Sequence, residues 1–270
     1  IWQYIHILTY VLFFFSLYHA VNWGSDSGNV FIKNLYSVLF AGALCGIVFR
    51  TQYKIRKYYS GKFYVKKIKN ETGDTFSLIL SRPKNFSFRA GQFCFLRLNK
   101  NKLYARHPFT ISSAPNQQDL RFTIKNTGRF TEAALNLKLG DKVVVEGPFG
   151  IFTLKDNAKN LLLIAGGVGI TPFLSIIKNL QLENKRINVI LFYGSKTKED
   201  IIFKEELDNI EENWLKKVYA ISNQDGHITE SLIKKHVKDI TGFSCYICGP
   251  EPMKKSVRKA LRNLGVKKQD

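Results

Sequence analysis

Five consecutive apolar residues, Leu161-Leu-Leu-Ile-Ala165, run directly into Gly166-Gly-Val-Gly-Ile-Thr-Pro172, and an amphipathic stretch begins at Phe173. An unbroken apolar run of this length reads as a strand buried on both faces, the signature of a parallel sheet covered by helices. Glycines after such a strand let backbone amides approach a pyrophosphate, and the N-terminus of the following helix favours its negative charge. A tight structural turn is the other reading. The strand before the loop, the helix after it and Thr171-Pro172 at helix entry favour a dinucleotide site built on Gly166, Gly167, Gly169, Thr171 and Pro172.

The periodicity on either side of this loop divides the chain. Apolar strands alternate with amphipathic helices after about Phe152, with strands expected at Asn160 to Ala165, Ile187 to Tyr193, Val218 to Ser222 and Phe243 to Cys248. Between Phe63 and Phe152 the pattern is different: short alternating stretches at Thr75 to Leu80, Gln92 to Leu98, Leu120 to Lys125 and Lys142 to Glu146, broken by Gly, Pro and Asn, predict an antiparallel β-barrel. The expected organisation is therefore multi-domain: 1–58 as transmembrane α-helices, 59–155 as the barrel, and 156–270 as an α/β parallel-sheet nucleotide-binding domain. After the second strand of that sheet, Tyr193-Gly-Ser-Lys-Thr-Lys198 lies where the adenosine ribose is expected. Ser195, Lys196 and Lys198 either bind a 2′-phosphate or are solvated surface, and no carboxylate ends the strand to hold a free 2′-hydroxyl. NADPH is favoured over NADH.

The transmembrane expectation rests on the first fifty residues. Ile1 to Val21 contains no Lys, Arg, Asp or Glu, and Val30 to Phe49 only Lys33; each approaches the roughly 20 residues needed to span a bilayer. The first lacks the basic start and the cleavage site of a signal peptide, and the chain begins with Ile1, so it reads as a fragment of something longer. The net charge is +20. Its densest block, Arg50, Lys54, Arg56, Lys57, Lys62, Lys66, Lys67 and Lys69, follows the second apolar segment with no acid among them, and no aromatic-basic nucleic-acid motif accompanies it. That is the distribution of a cytoplasmic membrane flank. The polar turn from Asn22 to Asn29 would then face outside, and the parts after residue 58 the cytoplasm. Cys45, Cys94, Cys245 and Cys248 are too few and too scattered for a disulfide framework. Cys245 and Cys248 form a C-x-x-C, but in a strand side chains three apart point to opposite faces, which argues against a zinc or dithiol site.

His6 and His19 lie within the first apolar segment. An imidazole in hydrocarbon needs a partner: it is either an axial haem ligand or a polar side chain packed inside a helical bundle. On a helix the two would be about 20 Å apart along the axis and about 140° apart around it. The first suits two stacked haems, whereas the second requires bending or different sides of approach.

Three motifs together resemble a known family over nearly the whole chain. Arg106-His-Pro-Phe-Thr-Ile-Ser-Ser-Ala-Pro115 resembles the FAD motif of NADPH oxidases and ferric reductases, part of the ferredoxin-reductase-like group; Gly166 to Pro172 and Cys248-Gly-Pro-Glu-Pro-Met253 resemble that group's pyridine-nucleotide motifs. The resemblance implies FAD, NADPH or NADH, and haem b as cofactors. It implies that Phe109 lies against the isoalloxazine, that Thr110 bonds near its reactive edge, and that His107, flanked by Arg106 and Pro108, sits near the ribityl or diphosphate. Ile124, Lys125, Gly128, Phe130 and Thr131 match the second FAD segment, whose backbone amides meet the diphosphate. Cys248, Gly249 and Pro250 would lie beside the nicotinamide, with Thr110 and Cys248 nearest the reacting atoms. His6 and His19 would be metal ligands to an inner and an outer haem, their partners supplied by earlier helices that this chain does not contain. The family's closing aromatic residue is absent before Asp270.

The implied activity is electron transfer from NAD(P)H to FAD, to two b-type haems and to a small-molecule acceptor, either oxygen or ferric iron, across a lipid bilayer. A membrane-anchored NAD(P)H-flavin reductase serving a soluble acceptor without haem is the alternative, and a non-catalytic nucleotide-binding subunit a more distant one.

Overall fold

The structure is a computed structural model that describes residues 2–25, 28–58, 63–98, 105–155 and 157–266, without the side chains of residues 2–7 and 53–58. The chain forms two compact units, Ile1–Ser60 and Gly61–Asp270.

The first unit is a pair of helices, α1 (Trp2–Trp23) and α2 (Val30–Tyr58). They touch through Phe14 and Phe40, whose rings meet edge-on at 5.3 Å, and through a hydrogen bond of 2.9 Å from Arg50 Nη1 to Tyr10 Oη. Most of their large apolar side chains are exposed, Phe15, Phe31 and Phe49 by 73–75%. Among the described residues one helix, Val30–Gln52, is long and apolar enough to cross a membrane. Two spans were expected; the first falls on α1, which carries no Lys, Arg, Asp or Glu but is fully described only over residues 8–23, so part of that expected span lies outside the described residues. The basic block is also not one element. Its first part continues α2 past Phe49, and its last part lies in β1 (Phe63–Asn70) of the second unit, where Lys66 pairs with Asp119 and Lys69 with Glu71. One acid 53 residues away in sequence and another just past the run supply what the run itself lacks.

The second unit opens with a six-stranded antiparallel sheet of β1, β2 (Thr75–Ser81), β3 (Phe93–Leu98), β4 (His107–Thr110), β5 (Asp119–Lys125) and β6 (Lys142–Phe149), in the order β4-β3-β6-β1-β2-β5. An isolated bridge between Ile111, just past β4, and Phe122 on β5 joins the two edges, which gives the expected barrel-like closure. Alternation sets the register: Phe76, Leu78 and Leu80 face Ile124, Phe122 and Leu120 across the β2–β5 ladder, and all six are buried. A slip of one residue would turn every one of them outward. The short helix α3 (Arg129–Leu135) follows β5 and inserts Phe130 and Ala134 into the same core.

The parallel sheet has the order β10-β7-β8-β9, from β7 (Asn160–Gly166), β8 (Asn188–Ser195), β9 (Leu215–Ile221) and β10 (Phe243–Cys248). Leu161, Leu163 and Ala165 pack under α4 (Thr171–Leu182), while Leu162 and Ile164 face the other cluster, with α6 (Glu230–His236) and α7 (Glu251–Asn263). Burying such a side chain on either face is worth about 1.5–3 kcal/mol, which is why the run is apolar throughout. Cys245 and Cys248 fall in opposite clusters, as the strand period requires. The helix begins two residues earlier than its amphipathic pattern suggested, because a 3₁₀ turn at Gly167–Ile170 leads straight into Thr171.

Candidate functional site

The glycine loop is built by close packing. A Cβ on Gly169 would stand 2.2 Å from the Cys248 carbonyl oxygen and 2.8 Å from the Gly249 nitrogen. On Gly166 it would meet Met253 Sδ at 2.5 Å, and on Gly249 the Gly166 nitrogen at 3.1 Å. Gly169 and Gly249 therefore lie where the loop after β7 and the end of β10 meet backbone against backbone, while Gly166 leaves room for the Met253 and Pro250 side chains. Gly167 differs. Its φ of +53° favours glycine, and nothing lies within 4 Å of where its Cβ would be, which leaves an open cradle. Thr171 is buried and donates from Oγ1 to the Val168 carbonyl at 3.0 Å, closing the turn, and Pro172 occupies the first turn of α4, where no amide is needed.

Tyr193, at the end of β8, completes the loop. Its ring is fully buried; Oη donates to the Gly167 carbonyl at 3.1 Å and accepts from the Ile202 amide at 3.0 Å. Burial pushes the phenol well above its ordinary range, so it stays a neutral donor. The sequence placed Tyr193 at the end of a strand and the start of a loop, with no role for its hydroxyl. The available signal was its hydroxyl inside an apolar strand, a group that must find a partner when buried.

Cys248 ends β10 opposite Ala165, and burial pushes its thiol up, against a smaller opposing effect of Lys254. Pro250 is the residue before α7. Ser195 is 8% exposed at the end of β8, whereas Lys196 and Lys198 are exposed and reach solvent.

The residues of the Arg106–Pro115 motif divide. His107 and Phe109 meet Phe130 of α3, with ring centroids 4.1 and 5.8 Å away, and form one aromatic face. Pro108 and Thr110 project from the opposite face of β4, across from Phe95 and Phe93 of β3. Arg106 lies on that side too, 4.7 Å from the Phe95 ring centroid and 3.6 Å from Glu146, which also pairs with Arg97. Ile111 to Ala114 are buried, and Ser112 bonds to Thr123 at 3.0 Å inside the barrel. The second FAD segment is tied by Thr131, whose Oγ1 accepts from the amides of Thr127 (2.9 Å) and Gly128 (3.0 Å). The Gly128 amide expected to meet a diphosphate is thus bonded within the loop. Ile124 is buried in the barrel core, and Lys125 pairs with Asp74 at 2.9 Å. A flat aromatic face beside cations and a glycine turn fits a flavin dinucleotide, and the open cradle at Gly167 fits a phosphate.

Haem finds less here. His19 is exposed on α1 with its ring 5.5 Å from that of Trp23. The side chain of His6 lies outside the described residues. Among those described, no group of three or more His, Cys, Asp or Glu could hold a metal ion. No haem site is shown among the described residues.

A six-stranded antiparallel barrel followed by a parallel sheet whose first loop locks onto its edge strand defines a two-domain flavin- and nucleotide-binding fold. The chain carries the FAD-binding and NAD-binding domains of the ferredoxin-reductase-like family: residues 60–153 match the FAD-binding domain and residues 163–259 the oxidoreductase NAD-binding domain. Residues 1–59 lie outside both matches. Similar proteins include the glycine betaine monooxygenase reductase subunit of Chromohalobacter salexigens, 29% identical over 74% of this chain and 59% of that protein. Flavohemoprotein B of Dictyostelium discoideum is 33% identical over 64% of this chain and 45% of its own length. The chain spans about half the length of these curated relatives. Among solved structures, the FAD/NAD-binding domain of nitric oxide dioxygenase from Vibrio cholerae shares the fold, with a TM-score of 0.68 at 23% identity over 77% of this chain and 94% of that one.

Proposed function

We propose that this chain is a membrane-anchored NAD(P)H-flavin reductase that passes electrons to an acceptor outside its own sequence. The observation that carries this is the backbone lock of Gly166 and Gly169 onto Cys248 and Gly249, held in one unit with the His107–Phe109–Phe130 face. A nucleotide phosphate would rest at the Gly167 cradle, at the head of α4, with Lys196 and Lys198 available to a 2′-phosphate. Cys248 and Gly249 would border the nicotinamide, where the buried neutral thiol brings no charge to the ring. Phe109 would face the flavin ring, and Thr131, by bonding the Thr127 and Gly128 amides, would shape the turn that meets its diphosphate. FAD, when bound, supplies the acceptance of a hydride and the release of electrons one at a time. Protein residues position the two rings and exclude water between them.

Anchoring follows from α2. Its 29 residues extend about 43 Å at 1.5 Å per residue, beyond the about 30 Å of hydrocarbon, so its basic last turns would emerge on the cytoplasmic side. We assign the excess positive charge to that surface and to phosphate groups, not to nucleic acid. One of the similar proteins is by name the reductase subunit of a monooxygenase, which supports an acceptor on another protein or a small molecule.

A second reading is favoured by one observation: His19 stands exposed on a helix with no Lys, Arg, Asp or Glu. With earlier helices supplying the other ligands, His6 and His19 would each hold a b-type haem within a multi-pass bundle, and the acceptor would be oxygen or ferric iron on the far side. The test is an anaerobic visible spectrum of the protein in detergent with FAD and NADPH. Flavin bleaching alone supports the reductase; reduced haem bands that diminish in both His6→Ala and His19→Ala establish the second reading. No bleaching with either NADPH or NADH overturns both.

A further inference from the structure

The boundary between the barrel and the parallel sheet holds a charged cluster that no cofactor motif includes. Arg121 lies on β5 of the barrel, with its side chain 14% exposed. It donates in parallel to Glu206, from Nη1 to Oε2 at 2.8 Å and from Nη2 to Oε1 at 3.2 Å. Glu206 is on α5 (Lys204–Asp208) of the nucleotide domain and also takes Lys178 Nζ from α4. The Arg121 guanidinium rests 4.8 Å from the centroid of Phe203. Phe203 is 3% exposed and adopts a left-handed backbone, φ 62°, a conformation that costs a residue with a Cβ about 1 kcal/mol or more. A few residues away, Ser175 Oγ of α4 donates to the Ser113 carbonyl at 2.6 Å with both residues buried, and Ser113 Oγ accepts the Arg121 amide at 3.1 Å.

Three of these contacts, Arg121 with Glu206, Arg121 with Phe203 and Ser175 with Ser113, join the FAD-binding domain to α4 or to the start of α5. A buried ion pair is weak evidence for stability, because desolvation offsets its attraction. Its strength is geometric, since a bidentate guanidinium–carboxylate pair fixes orientation as well as distance. Burial opposes the charge on Glu206, yet the hydrogen bond and charge of Arg121, with Lys178 behind them, hold its carboxyl below the usual range. The cluster carries two cations, one from each domain, and Glu206 bonds both. Neutralising Glu206 would leave those cations facing one another across the boundary.

We propose that Glu206 is a positioning residue that fixes the angle between the flavin and nucleotide domains, and with it the approach of nicotinamide to flavin. The role rests on the reductase reading given above. Arg121 stands three residues before Ile124, where the second FAD segment begins, and Ser175 and Lys178 lie within two turns of the glycine loop, so the clamp grips the supports of both sites rather than either ligand.

The test uses the FAD-loaded full chain in detergent, comparing wild type with Glu206→Gln and with Ser175→Ala, which removes a boundary bond without changing charge. In anaerobic stopped-flow with saturating NADPH, Glu206→Gln should slow flavin bleaching about tenfold or more while NADPH affinity stays within about threefold, because misplacement of reacting rings costs rate rather than binding. Ser175→Ala should show the same split to a smaller degree, with FAD content unchanged in both. Calorimetry reads the clamp without turnover: wild type should melt in one transition and Glu206→Gln in two. A bleaching rate equal to wild type in Glu206→Gln refutes the positioning role, and a single transition in both proteins refutes the clamp. Wild-type flavin that neither NADPH nor NADH bleaches refutes the reductase reading, and calorimetry then still decides the clamp.

Discussion

Replacing Gly169 by alanine tests the backbone lock directly. The added methyl would stand 2.2 Å from the Cys248 carbonyl oxygen, 2.5 Å from its carbon and 2.8 Å from the Gly249 nitrogen. All three are backbone atoms, so no side chain can swing aside. Ordinary contact begins more than about 1 Å further out, and the loop or the end of β10 must retreat by that much. Overpacking of this kind costs about 1–3 kcal/mol, and at about 2–4 °C per kcal/mol for a unit of this size Tm should fall by about 2–12 °C. Because the displaced segment carries Gly167 on one side and Cys248 on the other, flavin bleaching by NADPH should slow by up to about 100-fold, the cost of an ångström-scale misplacement. Gly73→Ala is the control: its Cβ meets nothing within 4 Å and its φ is not positive, so its stability should stay within about 0.5 kcal/mol of wild type. Measured by thermal melts and anaerobic stopped-flow, a Gly169→Ala protein that matches Gly73→Ala in both would refute the lock.

Tyr193→Phe removes the hydroxyl between the Gly167 carbonyl and the Ile202 amide and leaves that buried N–H without its partner, so urea unfolding should show a loss of about 1–3 kcal/mol. An unchanged midpoint would show that the hydroxyl does not hold the loop. The Ser195→Ala, Lys196→Ala pair should lower kcat/KM for NADPH about tenfold, equivalent to about 1.4 kcal/mol, with little effect on NADH; equal losses with both nucleotides would sink the 2′-phosphate assignment.

The strands were legible because burial on one or both faces leaves a periodic trace. Leu161 to Ala165 and the alternating Phe76, Leu78 and Leu80 could be placed within a residue or two of their observed ends. The glycine loop was legible as a loop but not for its full reason. Backbone approach to a ligand was expected, whereas Gly166 and Gly169 are required by Met253, Cys248 and Gly249, more than 70 positions away in the chain. The basic block misled for a similar cause. A run of lysines without local acids looked like a single flank, yet Lys66 finds Asp119 once β1 and β5 enter the same barrel. Tyr193 and Arg121 were missed because their partners lie 26 and 85 residues away, and nothing in local composition marks such a pairing.

Both devices, the lock and the clamp, converge on α4. The helix starts at Thr171, whose hydroxyl closes the glycine turn, and carries Ser175 and Lys178 four and seven residues on, the spacing that places side chains along one helical face. Its 12 residues span about 18 Å, and Phe173, Leu174, Ile176 and Ile177 are fully buried, which fixes it to the sheet beneath. A segment so packed moves as a body rather than by bending. The phosphate cradle at its head and the contacts with the barrel along its side are therefore set by one rigid element, and the nucleotide loop takes its position relative to the flavin domain from the helix it begins.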